Sequence, residues 1–161
     1  MKKIVITSDS HGDAEVLFRI LQEEADADAM IFLGDGFDDL ESLEYEYPNV
    51  QILAVPGNCD HNWRDARECT AEFEGVRIFY THGHMYGVKQ ALGPLASAAA
   101  ERGASVALFG HTHMAEKDEI RGVTLFNPGS VSRPVGRRAT YGVALCENGQ
   151  CFLSHKTVPE A

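Results

Sequence analysis

The chain has 161 residues, 44% hydrophobic and 24% charged, and its 24 acidic and 14 basic side chains give a formal net charge of −10. This composition excludes a disordered or fibrous protein, and no apolar run approaches the roughly 18 residues that a membrane helix needs. The acidic excess argues against general binding of nucleic acid or anionic lipid, which depends on Lys and Arg. A phosphate-bearing substrate stays open, because bound dications reverse the field wherever acids cluster.

In chain order, Lys3 to Thr7 is a β-branched run that predicts a buried strand. It ends in the polar loop Ser8-Asp9-Ser10-His11-Gly12-Asp13, with Asp13 placed to cap a helix in which Val16, Leu17, Ile20 and Leu21 recur at helical spacing. Ala29 to Leu33 predicts a second strand ending at Gly34-Asp35-Gly36, and Val50 to Val55 a third ending at Pro56-Gly57-Asn58-Cys59-Asp60. The acidic stretch Asp38 to Glu46 between them reads as a solvated face. Val76 to Thr81 ends at His82-Gly83-His84, and an alanine-rich helix is predicted from Pro94 to Arg102. Val106 to Phe109 ends at Gly110-His111-Thr112-His113, and Val123 to Phe126 ends at Asn127-Pro128-Gly129-Ser130. The last third predicts a hairpin, Thr140 to Leu145 and Cys151 to Thr157, turning at Asn148-Gly149. Cys146 and Cys151 would then face each other as packed thiols. Alternating strands and helices followed by a hairpin predict one α/β domain over 1–161, with mixed sheets. Lys2 and Lys3 precede Asp9 and His11 too closely for a secretory signal, so a cytoplasmic location is expected.

Six strands in succession thus end in a turn that carries Asp, Asn or His beside Gly, or Asn beside Pro and Gly. In open α/β sheets, sites form at the carboxyl ends of strands. The residues Asp9, His11, Asp35, Asn58, His82, His111 and His113 would converge there. Mixed nitrogen and oxygen donors suit manganese, iron or zinc better than calcium or magnesium. Seven donors exceed one tetrahedral site and suit two sites sharing a carboxylate. Two ions about 3.5–4 Å apart can bridge a water, lower its pKa and hold both oxygens of an in-line displacement. Phosphoryl transfer calls for that arrangement, since its transition state spreads negative charge over oxygens.

The ordered set Asp9-x-His11, Gly34-Asp35, Gly57-Asn58-x-Asp60, His82-Gly83-His84 and Gly110-His111-x-His113 resembles the calcineurin-like metallophosphoesterases. Gly-Asn-Cys-Asp and Asn-Pro-Gly-Ser are most similar to their small bacterial and archaeal phosphodiesterase branch, the YfcE-like group. The resemblance covers about Ile4 to Ser130. It implies a four-layer α/β/β/α sandwich of two mixed sheets flanked by helices. It also implies one metal on Asp9, His11, Asp35 and His113 and another on Asp35, Asn58, His82 and His111. The expected cofactors are two divalent ions, manganese first, with iron, zinc or nickel as alternatives. The implied activity is a phosphodiesterase, with phosphomonoesters also considered, in which a metal-bridging hydroxide attacks phosphorus directly.

Asn58, Asp60 and His84 are the candidate catalytic residues, and Asn58, Cys59 and Arg133 the candidate substrate contacts. Many relatives carry His where Cys59 stands, and a thiol is a weak proton donor near neutral pH. Asp60 is expected to accept a hydrogen bond from a ligating histidine, and Arg133, in the basic cluster with Arg137 and Arg138, to grip a phosphate. The partner is expected to be a small phosphate ester, with no membrane and no general nucleic-acid binding; a homo-oligomer is left open. The alternative to an enzyme is a protein-binding scaffold on the same fold, like the retromer subunit that resembles this branch. Retention of all seven donors favours the enzyme.

Overall fold

The computed structural model describes residues 1–61, 65–136 and 138–160. Arg137 of the basic cluster lies outside them. Five strands form the first sheet: β1 (Lys2–Thr7), β2 (Ala29–Phe32), β3 (Gln51–Ala54), β9 (Thr140–Glu147) and β10 (Gln150–Thr157), in the order β10-β9-β1-β2-β3. The second holds β4 (Glu68–Phe73), β5 (Val76–Thr81), β6 (Val106–Leu108), β7 (Ala115–Ile120) and β8 (Val123–Pro128), in the order β4-β5-β6-β8-β7. Helices α1 (Ala14–Glu23) and α2 (Leu40–Glu46) follow β1 and β2, and α3 (Gly93–Glu101) precedes β6.

Alternation along the strands explains why the sheets stack. Ile4, Ile6 and Ile31 point from the first sheet into a core shared with Ile78, Tyr80, Val106, Leu108 and Phe126 of the second. Their neighbours Val5, Met30 and Phe32 point the other way, against Val16, Leu17 and Ile20 of α1 and Leu40 and Leu43 of α2. Phe79, Ala107 and Leu125 do the same on the second sheet, against Leu95, Ala96 and Ala99 of α3. A period of two that is apolar on both faces requires cover on both, and the result is the expected four layers. Asp13 caps α1 as expected, accepting from the Val16 amide at 3.3 Å.

Within the first sheet β1, β2 and β3 are parallel; within the second β5, β6 and β8 are parallel. These are the six strands whose ends carry the polar turns. The hairpin closes through Asn148 and Gly149, both at positive φ (52° and 78°), as a two-residue primed turn demands. Cys146 and Cys151 pair across it with sulfurs 3.2 Å apart.

Three elements depart from the sequence reading. The acidic stretch is not only a solvated face, because α2 buries Leu40 and Leu43 within it. Strands β4 and β7 lie at the two edges of the second sheet, and β7 (Ala-Glu-Lys-Asp-Glu-Ile) has no buried residue. The charged β7 carries no apolar period to read, whereas β4 turns Cys69, Ala71 and Phe73 toward the core in a weak alternation. His155, for which the sequence offers no partner, stacks on Phe126 at 4.3 Å and bonds to the Asn127 carbonyl at 2.7 Å.

One buried carboxylate ties the far side together. Glu24, 2% exposed at the end of α1, meets Lys3 at 2.8 Å, Lys156 at 2.6 Å and the Tyr141 hydroxyl at 3.1 Å. Burial pushes its carboxyl up, but bonds from Lys156, Lys3 and Tyr141 outweigh burial and leave the carboxyl below its ordinary 4.5. A lowered folded-state pKa stabilises above the unfolded value and loses that contribution as pH falls through the folded one. Glu24→Gln should therefore cost about 2 kcal/mol at neutral pH. In urea melts, the gap between variant and wild type should close as pH drops below 4.5; a gap independent of pH would refute the assignment.

Candidate metal centre

Backbone bonds tie neighbouring rim loops within each sheet, and Val131 N, after β8, reaches across to Ser8 O, after β1, at 3.1 Å. Asp9 N donates to Gly34 O, His11 N to Asp35 O and Gly110 N to His82 O, each at 2.9 Å. Two glycines permit this approach. A Cβ on Gly57 would sit 2.2 Å from Asp35 Oδ1, and one on Gly110 2.1 Å from Ser8 Oγ. Neither Cβ would fit without displacing a carboxylate or its support.

Seven side chains meet at this rim or its edge. Asp9, His11, Asp35 and His113 each offer a donor atom within 4.8 Å of the others, and so do Asp35, His82 and His111. Asp35 belongs to both groups. Asn58, the seventh expected donor, is exposed beside them, its neighbour Cys59 donating a backbone N–H to Asp35 Oδ1 at 2.8 Å. His82 Nε2 lies 3.2 Å from Asp35 Oδ2, and His113 Nε2 3.3 Å from Asp9 Oδ1 and 3.2 Å from His11 Nε2.

Each donor is aimed by its surroundings. His82 Nδ1 donates to the Leu33 carbonyl at 2.6 Å and His113 Nδ1 to the Arg133 carbonyl at 2.7 Å. Both rings therefore turn Nε2 toward the carboxylates. Asp9 spends Oδ2 on Ser8 Oγ (2.5 Å) and the His111 amide (3.2 Å). Its Oδ1, like His82 Nε2, is buried without a hydrogen-bond partner. Buried polar atoms are rarely left so; a cation between them satisfies both. The backbone agrees: of eight non-glycine residues at positive φ among those described, five are Asp9, His11, Asp35, His111 and His113. Such strain, of order 1–3 kcal/mol each, gathers at functional sites.

Electrostatics favour a cation at this place. Burial would raise the Asp35 carboxyl, yet the close approach and charge of His82, the Cys59 amide and the charge of His11 hold it well below the usual range. Burial would lower His82, yet Asp35 and Asp9 raise it, so positive charge is stabilised between the carboxylates. His111 is pushed down to about 4 by burial and by the charges of His82 and Lys89, which keeps its ring neutral at pH 7.

The remaining candidates have different surroundings. Asp60 was expected to accept from a ligating histidine. Its carboxylate instead takes four backbone amides: Asp35 and Gly57 at 2.8 Å on Oδ2, Gly36 at 2.9 Å and Phe37 at 3.1 Å on Oδ1. Four donors converge on a single anion there, so Asp60 sets the position of the Asp35 loop. Asp60→Asn presents an NH₂ to two of these donors and should cost about 2 kcal/mol or more, read as a lower melting temperature with weakened binding of divalent cations; unaltered values for both would exclude the role. His84 has its Nδ1 buried without a partner, its ring 5.5 Å from His82 and 6.2 Å from His111. Burial, then the charges of His82 and Arg67, lower its pKa. Cys59 is exposed, and burial of its sulfur together with the Asp35 charge raises the thiol pKa, which further weakens it as an acid. Arg133 contributes its backbone, and its side chain is exposed.

Sequence reading underrated Asn127 and the serines. Asn127 Nδ2 holds the Gly110 carbonyl (3.1 Å) and Thr112 Oγ1 (2.9 Å), fixing the loop that presents His111 and His113. Ser130 and Ser132 both donate to the Asp9 carbonyl, at 2.8 and 3.0 Å. The Asn-Pro-Gly-Ser signature carried the signal, but a hydroxyl aimed at a backbone oxygen has no sequence mark.

Comparison with known proteins agrees with this geometry. Residues 1–149 match the family model described as the calcineurin-like phosphoesterase superfamily domain. The chain belongs to that superfamily. It is 39% identical to the probable metallophosphoesterase YsnB of Bacillus subtilis, over 90% of this chain and 85% of the relative. It is 29% identical to phosphodiesterase YfcE of Escherichia coli, over 89% and 87%. Among solved structures, a predicted phosphoesterase from Streptococcus pneumoniae superposes with a TM-score of 0.81 at 25% identity, covering 97% of this chain and 89% of the other. Vps29 of Entamoeba histolytica shares the fold at a TM-score of 0.74 and 16% identity, over 96% and 98%. As a member of this superfamily the chain is a metal-dependent phosphoesterase.

Proposed function

We propose that the protein hydrolyses small phosphodiesters with two divalent cations, manganese foremost, shared through Asp35. The observation that carries this reading is the pair of overlapping donor groups meeting at one carboxylate. A carboxylate between two dications screens them from each other, which a neutral imidazole cannot do. When bound, the cations would activate water for in-line attack on phosphorus and complement the charge on its oxygens.

The chain's own groups then have defined tasks. Asp9, His11 and His113 would hold one cation with Asp35; His82, His111 and Asn58 would hold the other. Leu33 O and Arg133 O keep two of these rings aimed, and Asp60 keeps the Asp35 loop in place. Asn58, exposed at the rim, is placed to meet a substrate oxygen. His84, whose charged form is disfavoured by burial and by the charges of His82 and Arg67, can accept a proton or relay one through water. With Cys59 a poor donor as well, esters with good leaving groups should react fastest.

A protein-binding scaffold, the alternative reading, draws support from fold likeness to Vps29 alone. The buried, unpartnered atoms of Asp9 and His82 favour an occupied metal centre, which the enzyme reading requires. Bis(p-nitrophenyl) phosphate should be hydrolysed by manganese-loaded protein, lost on chelation and recovered on re-addition. Full turnover by metal-free protein would dispose of the proposal. A location in the cytoplasm belongs to the same reading; among the described residues no helix is long and apolar enough to cross a membrane.

A further inference from the structure

A cavity of about 440 Å³ opens beside the His111–His113 loop, between that loop and the segment leading into α3. Its size falls within the range of small-molecule sites, about 300–1,000 Å³. Thr112 lies in its wall between two candidate metal donors, pinned by Asn127, and Met114 directly follows His113. The cavity thus borders the loop that presents both donors, although neither donor lines it. We propose that this cavity receives the nucleoside arm of a phosphodiester substrate, an inference that rests on the function proposed above.

The chemistry of the walls selects the arm. Val88, Leu92 and the thioether of Met114 supply apolar surface, and Met114 is 47% exposed where a ring could cover it. Thioether sulfur also favours contact with aromatic rings. Lys89 and Gln90 offer N–H donors, while Glu116 brings a carboxylate to the same space. An aliphatic arm would make no use of these polar groups. A purely anionic arm would meet Glu116. A planar base joined to a sugar answers all three: an apolar face, acceptors for Lys89 and Gln90, and hydroxyl or amino donors for Glu116. Arg133, named from sequence as the substrate cation, does not line this cavity; Lys89 does, and its charge reaches His111.

The test compares two probes by calorimetry on manganese-loaded full-length protein. Inorganic phosphate reports on the metal centre alone, and thymidine 5′-monophosphate adds the arm. The nucleotide should bind at least tenfold tighter than phosphate. Ala91→Trp, which fills the cavity, and Lys89→Ala, an exposed change that spares the core, should each pull that ratio toward one, by at least threefold. Equal affinities for the two probes in wild type, or a ratio that neither variant shifts, would overturn the nucleoside arm while phosphate binding still supported the metal centre. Absence of binding by either probe would overturn both.

Discussion

Asp35→Asn should reduce turnover of bis(p-nitrophenyl) phosphate by at least about a thousandfold, equivalent to roughly 4 kcal/mol of transition-state stabilisation. The substitution is a severe test because it is nearly isosteric. The amide oxygen of Asn can still accept from the Cys59 backbone, the contact that Asp35 Oδ1 makes at 2.8 Å. What it loses is the negative charge of a carboxylate that faces His82 through Oδ2 at 3.2 Å and belongs to both donor groups. Metal content, measured by elemental analysis alongside circular dichroism, should fall with the activity while the fold persists. A variant that keeps its activity and metal content would remove Asp35 from the centre of the mechanism.

The second large effect concerns stability. Without a cation, Asp9 Oδ1 and His82 Nε2 are buried and unpartnered, and five residues hold left-handed backbone around them. The unfolded chain cannot assemble such a site, so a cation that binds only the folded form stabilises it by mass action, about 2.7 kcal/mol at a hundredfold excess over Kd. For a chain of this size that corresponds to a rise of roughly 5–10 °C in melting temperature. Scanning calorimetry of chelator-treated protein with and without manganese reads it directly. A shift below one degree at saturating manganese would mean that these residues do not form a preorganised cation site.

The parts of the fold visible in sequence were those with a repeating cost. β1, β2, β5 and β6 bury both faces, so their apolar runs were plain, and each ends where chemistry demanded Asp or His. The Asn148-Gly149 turn and the Asp13 cap were legible because few residues tolerate those positions. β7 was not, since an edge strand with no buried residue imposes no pattern. α2 was masked by five acids in Asp38–Glu46 around the two leucines it buries. Within the site, the donors could be named but their orientation could not. The Leu33 and Arg133 carbonyls that aim two histidines are backbone atoms every residue owns, and only the fold decides which of them lie near an imidazole. Asp60 misled for a related reason: its carboxylate was read for a side-chain partner, while the structure surrounds it with peptide N–H groups.

The pairing of β1 with β9, Ile4 opposite Ala144, has a consequence for biogenesis. Strands β1 to β3 leave the ribosome first, yet their sheet is completed only after the whole second sheet has been made. Until Thr140 onward emerges, the β1 flank is a bare, strongly hydrophobic ladder seeking any extended chain. Contacts spanning most of the polypeptide also slow the search for the native arrangement. Truncation before the terminal hairpin should accordingly yield aggregates rather than a smaller working enzyme, because the serines that brace the Asp9 carbonyl would arrive at a scaffold never closed.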